Sequence, residues 1–213
     1  MGQQSDLVAR YNLYRKRGME LNNKLMGSCL DGDILLEAAE QLGMVEKGVI
    51  IFSSEAESDI LMEFALNDYR EDGRSAIEVY QEKTRGEDEI EKELLGGYVS
   101  AYTSLYKITA TSRENRTVDL EDVLQDGKRV QIMDNGLSMS HPRHTLLFLR
   151  IIPLRGFNMT SGIFFAFPEE AKSRMMRAYD NIYQRLQVDS ESTRRFVAFF
   201  RVNRIFGKQG MFV

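Results

Sequence analysis

Apolar residues recur at helical spacing over the first half of the chain, give way to short β-like runs broken by turn residues, and return to helical spacing at the end. Between Asp6 and Leu25, the residues Leu7, Tyr11, Tyr14, Leu21 and Leu25 share one face while Arg10, Arg15, Lys16 and Arg17 lie elsewhere. That pattern predicts an amphipathic helix, weakened at Gly18 and stopped near Gly27. A second helix is expected over Gly32 to Leu42, with Ile34, Leu35, Ala38, Ala39 and Leu42 on one face and Gly43 at the C-terminal cap. The apolar run Val49 to Phe52 is too short for a helix and reads as a strand or a buried linker. Ser54 with Glu57, and Ser75 with Glu78, have the spacing of capping boxes; the first predicts a helix to about Arg70, the second a shorter one ending before Gly86. Glu87 to Tyr102 reads as one helix crossing Gly96 and Gly97, with a strand beginning at Tyr98 as the competing reading.

After Ser104 the expected strands are Leu105 to Thr111, Arg116 to Leu120, Arg129 to Asp134, Leu146 to Pro153 and Phe157 to Phe167. Tight turns are expected at Gln125-Asp126-Gly127-Lys128 and at Asp134-Asn135-Gly136. Short strands in hairpin succession predict an antiparallel β unit of about five strands, an SH3-like barrel or a strongly bent sheet. Pro168 with Glu169 and Glu170 then opens a helix to about Leu186, and a last helix runs from near Ser190 to Phe206 with Gly207 as its stop. The chain is therefore expected to be α+β: a mainly helical part over residues 1–103, the β unit over 104–167, and C-terminal helices over 168–213 packing on the rest, the whole forming one domain or a domain with an appendage.

Composition narrows the class. Hydrophobic residues make up 43% and charged residues 28%, near globular averages. No window approaches the roughly 18 consecutive apolar residues of a membrane span, so no transmembrane segment is expected. The first residues, Met1-Gly2-Gln3-Gln4-Ser5-Asp6, lack the basic start and apolar run of a secretory signal, and Asp6 stands where a myristoylation pattern needs Ser or Thr. The single cysteine, Cys29, cannot form an internal disulfide, which fits a reducing compartment. A soluble, cytoplasmic protein is the expectation.

The net charge of −4 conceals a polarity. From His141 onward there are 12 Lys+Arg against 5 Asp+Glu, a balance of +7, which leaves 16 against 27, or −11, for Met1 to Ser140. Either the two parts attract each other within the fold, or the basic part meets an acidic partner such as a nucleic acid or an acidic protein.

Candidate chemistry is sparse. His141 and His144 are the only histidines, three residues apart in an expected loop with Asp134 nearby in sequence; two imidazoles fall short of the three or four ligands a metal needs. They are nonetheless the only polar group around which a hydrolase-like pocket could be named. Cys29 has no base marked out beside it. The acids Glu87, Asp88, Glu89, Glu91 and Glu93 suit the opening turns of a helix. Gly96-Gly97 lacks the strand-loop-helix context and the Lys-Ser/Thr of a phosphate cradle, and there is no Gly-x-Ser-x-Gly elbow. No cofactor and no metal are implied. The end of the chain offers the binding candidates: Arg194, Arg195, Arg201, Arg204 and Lys208 interleave with Phe196, Phe199, Phe200 and Phe206. Basic and aromatic groups together can bind phosphates and stack bases, or lie on an anionic membrane. The same phenylalanines also have the spacing of a core-facing stripe, with the arginines paired to the acidic front half.

Leu105-Tyr106-Lys107-Ile108, Val118-Asp119-Leu120-Glu121-Asp122-Val123-Leu124, Arg150-Ile151-Ile152-Pro153-Leu154, and Ser161-Gly162 before Phe167-Pro168 make residues 104–170 similar to a segment of a loose group of uncharacterised prokaryotic proteins. Some of those carry the small zinc motif named after the SecA C-terminus. With one cysteine this chain has no place for that motif, so nothing it does elsewhere carries over, and the resemblance implies a β unit only. The expectation from the residues is a non-enzymatic binding or interaction protein with a basic C-terminal surface. A hydrolase-like enzyme near His141 and His144 is a second reading. A self-associating subunit, a homo-oligomer using the apolar end Met211-Phe212-Val213, is a third.

Overall fold

A computed structural model describes residues 2–140, 144–188 and 190–208. The chain begins with α1 (Gly2–Cys29) and α2 (Gly32–Leu42), then a hairpin of β1 (Val45–Glu46) and β2 (Val49–Ile50) turning at Lys47 and Gly48, both at positive φ. Three helices follow, α3 (Ala56–Asn67), α4 (Ala76–Thr84) and α5 (Glu89–Val99). The barrel strands are β3 (Tyr102–Ser112), β4 (Thr117–Asp122), β5 (Arg129–Met133), β6 (Thr145–Leu154) and β7 (Phe157–Pro168), with a short helix α6 (Asn135–Ser140) between β5 and β6. A 3-10 turn leads into α7 (Lys172–Arg185), and α8 (Glu191–Phe206) is the last helix of the described chain.

The caps explain several boundaries. Asp31 accepts from the backbone N–H groups of Asp33 and Ile34 and so opens α2, while Gly43 at φ 78° closes it. Ser75 and Glu78 form the expected reciprocal box at α4, and Asp88 caps α5 by accepting from the Glu91 N–H. The Ser54–Glu57 pair does not form a box. Instead α3 starts at Ala56, and the Glu57 carboxylate accepts from the Ser53 N–H and from Arg204. α5 does cross Gly96 and Gly97, and the strand begins only at Tyr102. A side chain at Gly97 would sit 2.9 Å from the Pro153 carbonyl, so the bare backbone lets α5 lie against β6.

The five long strands close into a barrel in the order β3-β4-β5-β7-β6, with β6 pairing back onto β3. All pairings are antiparallel except the contact of β5 with β7, at Met133 and Met159, which is parallel. Counted along the barrel the order is 1-2-3-5-4, a five-stranded Greek key with a helix between the third and fourth strands. Leu137 of that helix joins Tyr106, Val118, Leu120, Ile132, Leu147, Leu149 and Ile151 inside the barrel.

The barrel's outer wall is also covered. α2, α3, α7 and α8 pack on β3, β6 and β7 around Phe148, Phe165, Phe196 and Phe199, so helices and barrel share a core. α1, α4 and α5 pack around Met133, Ile152, Phe157 and Met159. Because β6 is covered on both faces, its residues from Thr145 to Ile152 are buried without alternation. The outward residues of β6 belong to the first cluster at Leu146 and Phe148 and to the second at Ile152; Arg150 falls between them, at the seam.

Candidate functional site

The five basic residues marked out at the end of the chain are engaged inside the molecule. Arg201 donates from Nη2 to the Gln41 carbonyl at 2.9 Å, and Arg204 donates to the Gly43 carbonyl and to both Glu57 oxygens. Together they cap the C-terminal end of α2, where carbonyls lack helical partners and the dipole favours positive charge. Burial works against the Glu57 charge, yet the hydrogen bonds from Arg204 and the Ser53 N–H hold its pKa below the ordinary value. Arg194 holds the Val188 carbonyl and lies over the Tyr183 ring, and Arg195 donates to the Thr103 carbonyl of β3 and pairs with Glu191. Lys208 donates its ammonium to Thr145 and its backbone N–H to the Ala166 carbonyl. Phe196, Phe199 and Phe200 are buried, with Phe199 stacked on Phe148 and Tyr179 at 4.3 and 4.4 Å.

A cluster of unpaired positive charge lies one helix earlier. In α7, Met175 and Tyr179 are buried and Ile182 and Tyr183 half-buried, while Arg174, Arg177, Asn181, Gln184 and Arg185 are exposed. At 100° per residue those five fall within one sector of the helix, a stripe about 16 Å long. Lys172 is exposed in the first turn, and Asp180 borders the stripe. Among the described residues, none of the side chains of Lys172, Arg174, Arg177 and Arg185 has a hydrogen-bond or ion-pair partner. The helical period of these residues is legible in the sequence, with Met175, Tyr179 and Ile182 on one face and Arg174, Arg177 and Asn181 on another.

His141 lies outside the described residues, as do Met211, Phe212 and Val213. His144 and Asp134 are not brought together. Asp134 caps α6 by accepting from the Leu137 N–H at 2.9 Å and also accepts from the Thr160 hydroxyl near the start of β7. His144, its side chain 84% exposed, stands 3.6 Å from Glu169 beyond the end of β7. Burial raises the Cys29 thiol pKa, with Lys83 offsetting it only in part, so little thiolate is present at neutral pH. The acids opening α5 meet basic residues of α1: Arg17 pairs with Asp88, Lys24 with Glu87 and Glu91, and Arg10 with Glu93. Among the described residues no three His, Cys, Asp or Glu side chains are grouped to hold a metal ion, and no helix is long and apolar enough to cross a membrane.

A second polar site lies at the seam. Arg150, 4% exposed, donates from Nε to Glu63 at 2.7 Å and from Nη2 to Asp68. Burial disfavours its charge, but Asp68 and Glu63 raise its pKa above the ordinary value, so it stays ionised. Asp68 is held in turn by the Ser192 hydroxyl of α8. Beside this triad a cleft of about 150 Å³ opens between α1, α3, α5 and the β6–β7 wall. The sequence carried a signal for it: a lone arginine in an otherwise apolar strand has to be paired when that strand is buried.

The outer face of β4 and β5 presents Thr117, Asp119, Glu121, Arg129 and Gln131, with Gln131 donating to Asp119. It offers no aromatic ring for stacking.

No curated protein and no solved structure matches the chain. The profile of a family of unknown function, DUF7986, matches residues 5–213, spanning helices and barrel alike. The chain belongs to that family of unknown function.

Proposed function

We propose that the protein is a non-enzymatic interaction module that engages an acidic partner through the basic stripe of α7, with nucleic acid as the partner the residue types favour. The observation that carries this reading is the set of exposed arginines Arg174, Arg177 and Arg185, whose side chains have no ion-pair partner among the described residues although the chain as a whole is acidic. Arginine interleaved with Asn181 and Gln184 is the chemistry of phosphate contacts, which position a nucleic acid without reading its sequence. A stripe of about 16 Å faces some four or five phosphates of one strand at 3.4 Å each along a duplex axis. Without an aromatic platform on the barrel face, such binding rests on charge and falls steeply with salt. Arg194 borders the stripe through its contact with Tyr183, whereas Arg195, Arg201, Arg204 and Lys208 serve it by fixing α8 against the rest of the fold.

The test is an electrophoretic shift with single- and double-stranded nucleic acids at about 50 and about 200 mM salt. A shift at the lower salt that weakens at the higher, and that is lost in the Arg174→Gln/Arg177→Gln/Arg185→Gln variant, is expected. A salt-sensitive complex with acidic proteins but not nucleic acid changes the partner class and keeps the surface. Absence of both abandons the reading.

A further inference from the structure

The ion triad beside the cleft is not closed on itself. Glu63 uses Oε1 on Arg150, and Arg150 uses Nε and Nη2 on Glu63 and Asp68. Among the described residues, Oε2 of Glu63 and Nη1 of Arg150 have no hydrogen-bond partner, yet neither belongs to the polar atoms sealed away without one. A buried guanidinium and a buried carboxylate thus border open volume with one donor group and one acceptor unmet. Leaving such groups unmatched is costly, and water or a ligand must satisfy them.

The rest of the cleft extends that polarity. Arg15 of α1, anchored by donation from Nη1 to the Thr160 carbonyl at 2.7 Å, lines it as a second cation. The Tyr98 hydroxyl lines it too; burial raises its pKa so that it stays neutral, and because its proton goes to the Gly18 carbonyl at 3.3 Å it presents its oxygen as an acceptor. Met19, Ile77 and Met159 supply an apolar side. Opposite charges stand side by side next to an aliphatic wall, in a volume of about 150 Å³. A cavity of that order admits a benzene-sized molecule, so roughly six to eight heavy atoms.

We infer that this cleft binds a free aliphatic α-amino acid, with its ammonium on Glu63, its carboxylate on Arg150 and Arg15, and its side chain against Met19, Ile77 and Met159. Both charges of the ligand are required. A carboxylate alone would leave Glu63 unmatched, and an amine alone would leave the guanidinium unmatched. The inference stands apart from the basic stripe of α7 and does not depend on it.

Calorimetric titration of the full chain with L-alanine, L-valine and L-leucine tests it, alongside the two single-charged relatives of valine, 3-methylbutanoate and isobutylamine. At least one amino acid should bind with a Kd at or below about 1 mM, and valine at least about tenfold more tightly than either relative. Arg15→Gln, on a half-buried side chain whose loss leaves the triad intact, should weaken that binding about tenfold while leaving the circular dichroism spectrum unchanged. Glu63→Gln should abolish it; if that variant fails to fold, Arg15→Gln decides. No heat from any of the three amino acids up to about 10 mM, or equal binding of valine and a single-charged relative, overturns the inference.

Discussion

α7 and α8 are neighbours of similar composition, both rich in arginine and aromatic residues, and they use their charges in opposite ways. α8 is buried along Phe196, Val197, Ala198, Phe199, Phe200 and Val202, and its arginines reach past that core to carbonyls and a carboxylate of distant elements. α7 buries a narrower stripe, and its arginines meet solvent. A run of positive charge says nothing by itself about availability. What decides is whether unmatched carbonyls or carboxylates lie within reach in the fold, and for α8 they do: the exposed end of α2 is waiting beside it.

The largest expected consequence of this contrast is in the core. Phe199→Ala should lower stability by roughly 3–5 kcal/mol in denaturant unfolding, since it removes a fully buried ring stacked on two others. A loss below about 1 kcal/mol would show that α8 does not anchor the core. Next comes the cap of α2. Arg204→Ala leaves the buried Glu57 carboxylate with only the Ser53 N–H and should cost about 1–3 kcal/mol. The equivalent Arg177→Ala in α7 should stay within about 0.5 kcal/mol.

Acid should sharpen the same difference. Because the Glu57 pKa lies below its ordinary value in the folded protein, its charge adds stability that is present above the unfolded carboxylate range, near pH 4.3, and is lost as pH falls through the lower folded value. The thermal midpoint should therefore drop as pH falls below about 4.3, and Glu57→Gln should flatten that part of the profile. A Glu57→Gln profile as steep as that of the unaltered chain would remove this link between α3 and α8. The smallest effect on folding belongs to Arg174→Gln, Arg177→Gln and Arg185→Gln, each within about 0.5 kcal/mol, although together they should sharply weaken nucleic-acid binding.

Local signals were legible where local chemistry decides the outcome. α2 runs from Gly32 to Leu42 as its periodicity and Gly43 indicate, and Ser75 with Glu78 caps α4. The five β runs correspond to the five barrel strands. Signals failed where a distant group intervened. Glu57 is drawn from a box with Ser54 to Arg204, 147 residues away. The turn at Asp134-Asn135-Gly136 becomes the first residues of α6, because Asp134 caps it and Leu137 fills the barrel end. The parallel contact of Met133 with Met159 has no local signature, so the Greek-key order was out of reach. The basic back half of the chain was readable as a polarity, but its free face lay on α7 rather than on Arg194, Arg201 and Arg204, whose partners near residues 41, 43, 57 and 188 only the fold reveals.

The most direct measurement is the salt dependence of nucleic-acid affinity for three proteins: the unaltered chain, the α7 variant Arg174→Gln/Arg177→Gln/Arg185→Gln, and the α8 variant Arg195→Gln. The slope of log affinity against log salt should fall by about two to three when the α7 arginines are removed, and stay unchanged for Arg195→Gln. An unchanged slope in the α7 variant, or a slope lost in the α8 variant with its fold intact, would contradict the division of roles between the two helices.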